Sequence, residues 1–98
     1  MQFVLDQKLY DTDVAVSDTL ASVTSIPAPN VSVVSVLYRT IATGTLFLVD
    51  TTVTSPPYAG YVDGSRVIPL TLEGAIEFVA EKIDGATANT IFGPFPLA

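Results

Sequence analysis

The sequence predicts a mainly β fold. The expected architecture is a small β-sandwich or barrel of six or seven short strands, with one amphipathic helix at 72–84 and an extended C-terminal arm. Three observations carry this expectation. Val and Thr dominate the first two thirds of the chain, and both suit a pleated, half-buried surface better than a helix. Turn chemistry recurs at short intervals, in Asp-Thr-Asp, Pro-Ala-Pro-Asn, Ala-Thr-Gly, Ser-Pro-Pro and Asp-Gly. Only one stretch has a helical period.

Taken in order, 2–10 reads as a first strand with Phe3, Leu5 and Leu9 turned inward. Asp11-Thr12-Asp13 breaks it. Val14 and Val16 open a second extended stretch, and 19–26 alternates small polar and apolar residues as a strand does. Ser25-Ile26-Pro27-Ala28-Pro29-Asn30 is a connection between strands, because two prolines in three positions remove ladder donors. VSVVSVLYRTI (31–41) and TLFLVDTTVT (45–54) are the clearest strands. Ala42-Thr43-Gly44 between them reads as a hairpin loop with Gly in the left-handed position. Both strands are apolar on both faces for part of their length, so this hairpin belongs at the centre of the fold or against a neighbour. Ser55-Pro56-Pro57-Tyr58-Ala59-Gly60 is a stiff loop carrying an aromatic residue. Asp63-Gly64, between short β-prone runs, predicts a second hairpin, and Pro69 ends its second strand.

LEGAIEFVAEKI supplies the helix. Leu72, Ile76, Val79 and Ile83 form one apolar stripe. Thr71 suits the N-cap, Glu73 the positive first turn and Lys82 the last turn. Gly85 is expected as the left-handed residue just past the end. Glu73, Glu77 and Glu81 make a solvated acidic line. Phe78 points about 130° from the stripe's centre at about 100° per residue, so a loop or a partner must cover it.

The 98 residues fit one domain, 1–89, followed by an apolar, Pro-containing arm, 90–98. The chain is 49% hydrophobic and 14% charged, with mean hydropathy +0.52. Small domains have much surface to cover. So apolar a composition points to burial against other chains, the alternative being a tight core under a Thr/Ser surface. The net charge of −6 and four scattered cations, Lys8, Arg39, Arg66 and Lys82, give no phosphate-binding patch. Nucleic acid and anionic membrane are therefore not expected partners. MQFVLDQKLY lacks the pattern of a signal peptide, and no 18-residue apolar run is present.

The chain contains neither His nor Cys. Ser/His/Asp and Cys/His catalysis, the usual zinc sites and disulfides are excluded, and neither enzyme activity nor a cofactor is expected. Asp11, Asp13 and Asp18 could offer oxygen ligands to Ca²⁺, but they do not match an EF-hand loop, and turn formation explains them equally. What remains is adhesive surface: Tyr58 and Tyr61 in and beside the 56–61 loop, Phe78, and Ile91, Phe92, Phe95 and Leu97 on the arm. Prolines reduce the entropy that the arm loses on docking.

The expected function is a structural or assembly protein, by compositional analogy a virion component such as a capsid decoration protein or tail subunit. Its expected partners are itself, a larger protein lattice, or both, and its expected location is the virion after synthesis in host cytoplasm. The alternative is a monomeric binding module gripping a peptide or glycan through the Pro56–Tyr61 loop. In that case the arm would be dispensable, or would fold back on its own core.

Overall fold

A computed structural model describes residues 1–54 and 61–98, with side chains described outside 61–63. The fold is mainly β, with two sheets and two short helices. The first sheet is the hairpin β1 (Gln2–Leu5) and β2 (Lys8–Asp11). The second is an antiparallel meander of β3 (Ser17–Ala28), β4 (Val31–Thr40), β5 (Leu46–Thr54) and β6 (Tyr61–Leu70), ordered β3-β4-β5-β6. Helices α1 (Leu72–Lys82) and α2 (Gly85–Phe92) follow. The sheet does not close into a barrel, since β3 and β6 remain its two outer strands. Among the described residues, what packs on the meander opposite the helices is the two-stranded hairpin, not a second large sheet.

The alternation of β5 builds the core. Leu46 and Leu48 face one way and Phe47 and Val49 the other, and all four are buried. On the helix face, Leu37, Leu46 and Leu48 pack with Ala75 and Val79 of α1 and Ala88 of α2. On the hairpin face, Phe47 and Val49 pack with Tyr10. The Tyr10 ring meets Phe47 edge-on at 5.3 Å, and Tyr38 stacks on Phe47 at 5.3 Å. The two-sided apolar character of 46–49 thus marks a central strand covered on both faces. This end of the molecule has three layers.

The other end is thinner. Val31, Val33, Val34 and Val53 are only half-buried and belong to neither core cluster. The radius of gyration is 14.8 Å, against about 13 Å for a compact chain of this length, and the longest extent is 48 Å.

Several expectations need correction. The 2–10 strand is two strands, because Asp6 (φ 51°) and Gln7 (φ 63°) form a left-handed two-residue turn without glycine. Leu9 consequently lies with Val4 on the outer face; Leu5 shares the face of Phe3 but is 36% exposed at the hairpin end, and Tyr10 is the buried residue. Residues 14–16 form a turn, with Val14 86% exposed. The 25–30 connection is shorter than expected, because β3 runs on to Ala28. It is a tight turn at Pro29-Asn30 (Asn30 φ 66°) that pairs Ala28 with Val31. Pro27 is tolerated because β3 is an outer strand.

Asp63-Gly64 is not a hairpin turn. Both residues lie within β6, where the register slips between Thr52↔Gly64 and Val53↔Val62. Gly64 takes φ 153° at this bulge. Pro69 is likewise inside β6, again an outer strand. The Ala42-Thr43-Gly44 hairpin is as expected, with Gly44 at φ 72° and its N–H donating to the Thr40 carbonyl at 2.8 Å. Thr71 caps α1 by accepting from the Gly74 N–H at 3.0 Å. Gly85 does not end α1 in a left-handed conformation. It is the first residue of α2, whose N-cap is Asp84.

Candidate functional site

Helix α2 aims the arm. The Asp84 carboxylate accepts from the Thr87 N–H at 2.7 Å, fixing the helix start. Hydrogen bonds from the Thr87 side chain and backbone hold the Asp84 carboxyl below its ordinary range. Ala88 is buried, and Ile91 and Phe92 pack half-buried on the helix-face core. Asn89 then brackets the exit. Its carbonyl accepts from the Gly93 N–H at 2.9 Å, and its side-chain oxygen accepts from the Phe95 N–H at 2.8 Å. Beyond this clamp, Phe95 is 41% exposed and Leu97 is 99% exposed.

The expected contact residues therefore separate. Phe95 and Leu97 stand out from the body on a fixed stem. Ile91 and Phe92 are on α2, so the arm's expected start at 90 falls inside a helix and its non-helical part begins at Gly93. Phe78 is half-buried against the same core as Ile91. The reason is a rotation of α1. Its buried arc centres on Ala75 and Val79, whose small side chains let the helix approach the sheet, and Leu72 from the expected stripe is 58% exposed. Tyr58 lies outside the described residues. Tyr61 begins β6 opposite Thr54, and its side chain lies outside the description.

Other apolar side chains project at separate places. Val4 and Leu9, paired across the outer face of the β1–β2 hairpin, are 74% and 59% exposed. Val14 projects from its turn, Ile26 from the end of β3 and Ile41 from the β4–β5 loop. Sequence reasoning missed the first pair because it read 2–10 as one strand. The period-2 alternation of Val4 with Phe3 was the available signal.

Asp11, Asp13 and Asp18 are each tied into the local structure. Asp11 accepts from the Asp13 N–H at 3.0 Å and from the Gln2 amide at 3.1 Å. The Asp13 backbone N–H, followed by the Gln2 side chain, holds the Asp11 carboxyl below its usual range. Asp13 accepts from the Ala15 N–H at 2.8 Å. Asp18 pairs with Arg39 at 3.8 Å on the outer strand. Among the described residues, no three acidic side chains gather as a metal site would require. An open concavity of about 310 Å³ lies on the helix face of the thin end, lined in part by Val33, Asp50, Thr52 and Arg66. Asp50 and Arg66 sit 3.7 Å apart there, and one Asp50 oxygen is buried without a partner. Among the described residues, Gly64 and Ser65 complete the concavity's lining. Among the described residues, no helix is long and apolar enough to cross a membrane. What the described residues present is exposed apolar surface, at Phe95 and Leu97 and at Val4 and Leu9.

Comparison with protein-family models, with curated proteins and with solved structures gives no match.

Proposed function

We propose that the chain is a non-enzymatic assembly subunit, a virion component of the capsid decoration or tail type, that binds copies of itself, a larger protein lattice, or both. The observation that carries this reading is the arm. Phe95 and Leu97 are exposed, yet the stem beneath them is fixed by two oxygens of Asn89, its backbone carbonyl and its side-chain carbonyl. An apolar segment held in place before it meets its partner loses less entropy on docking. The scatter of further exposed apolar side chains over the hairpin, the turns and α1 supports several contacts rather than one pocket.

The test is the solution mass of the full chain by light scattering over a wide concentration range, beside a chain lacking 93–98 and a Leu97→Asp variant. The full chain is expected as a trimer or larger. Both variants are expected to keep the far-UV circular dichroism spectrum and to lose mass. A full chain that stays at 10.3 kDa at every concentration overturns self-assembly and favours the binding module. A truncated chain that unfolds makes the arm part of the core.

A further inference from the structure

We infer that the outer edge of β3 is a self-pairing surface, joining two copies of this chain into one continuous eight-stranded sheet. The inference rests on the assembly reading and names a surface for it.

The two outer strands of the meander differ. β6 carries three features that discourage edge pairing: Pro69, which has no N–H; the bulge at Gly64; and Arg66, whose side chain is 75% exposed. β3 carries few. It is twelve residues long, and Asp18 is its only charged residue. Between its two irregularities lies an uninterrupted run, 21–25, paired with β4 without slippage. Every second residue of such a run turns its N–H and C=O away from β4. Among the described residues, no strand meets them. Pro27 interrupts donation only at the far end.

An open edge of this kind takes another extended backbone, and the chain itself narrows the choice. The arm is a poor strand. Pro94 and Pro96 have no N–H, and the Phe95 N–H is already bonded to Asn89. β1 and β2 are four residues each. The remaining long open edge is the β3 of a second copy.

The regular run sets the register, and charge is compatible with it. At a net charge of −6, like-charge contacts oppose association. A two-fold axis through the middle of the regular run pairs Val23 with Val23, Ala21 with Ser25 and Ser22 with Thr24. Asp18 then faces Ala28. The two Asp18 residues lie ten positions apart, roughly 33 Å at the rise of a strand, well beyond the screening length of about 8 Å. Both helix layers fall on the same side of the joined sheet.

The chain has no cysteine, so single substitutions report this register without background. Ala21→Cys, Val23→Cys and Ser25→Cys are each treated with diamide and run on a non-reducing gel. Val23→Cys is expected to cross-link. The other two place their thiols roughly 13 Å apart along the strands, too far to bridge, and are expected to remain single chains. Circular dichroism of each variant checks that the fold is intact. An oligomer by light scattering with no cross-link at 23 overturns the β3 interface and leaves the assembly reading standing. Equal cross-linking at all three positions means random collision and overturns the register. A full chain that is monomeric throughout overturns both.

Discussion

Phe78 shows how one side chain's role depends on its helix's rotation. Drawn through the bulkiest residues, the apolar stripe of α1 leaves Phe78 outside. Drawn through Ala75 and Val79, which are fully buried, it brings Phe78 onto the core. Small residues carried that information, because a helix lies closest to a sheet where its side chains are shortest. Phe78→Ser is therefore expected to cost about 2–3 kcal/mol of folding stability, somewhat less than truncating a fully buried Phe, and to leave association of the folded fraction unchanged. Urea unfolding followed by circular dichroism, beside light scattering, separates the two effects. Loss of mass at unchanged stability would return Phe78 to the contact surface.

At the level of elements, turns were the least legible part of the sequence. The strongest hairpin dipeptide, Asp63-Gly64, lies inside a strand, while the turn that does occur, Asp6-Gln7, has no glycine. The dipeptide reports a need for unusual φ, and a bulge needs it as much as a turn does. Gly64 can be tested directly. A methyl group there would meet nothing within 4 Å, so crowding plays no part, and the φ of 153° alone opposes a side chain. Gly64→Ala is expected to destabilise by about 1–3 kcal/mol, read as a lowered denaturation midpoint at unchanged slope. A neutral result would mean the bulge relaxes. The strands at 31–41 and 45–54 and helix α1 were legible because period, β-branching and capping agreed. Helix α2 was not: Gly85, Thr87, Asn89 and Thr90 are weak helix formers, and its stability comes from the Asp84 cap and from packing through Ala88, Ile91 and Phe92. Of the expected contact residues, Phe95 and Leu97 are exposed. Ile91 and Phe92 were not separable from them, because their helix was unseen.

Among the described residues, the main sheet is clad on both faces at one end and only half-covered at the other. The excess of apolar composition suggested outward-facing surface, but only the fold shows where the cladding stops. Hydrogen exchange is expected to divide the central strands along their length. Amides at 36–38 and 46–49 should exchange slowly, at the free energy of global unfolding, and those at 32–34 and 51–53 faster, through local opening. Uniform protection along β4 and β5 would mean that the thin end is as firmly held as the thick one.

The meander also fixes a sequence of events. Each main-sheet strand pairs with its neighbour in the chain, so the sheet can zip up hairpin by hairpin with little loop entropy to overcome. The two helices come after all four of those strands. Until they are made, Leu37, Leu46 and Leu48 lie open on a finished sheet. A nascent chain therefore passes through an interval in which its most adhesive face is exposed, and its surplus of negative charge is then the main force keeping one such sheet from another.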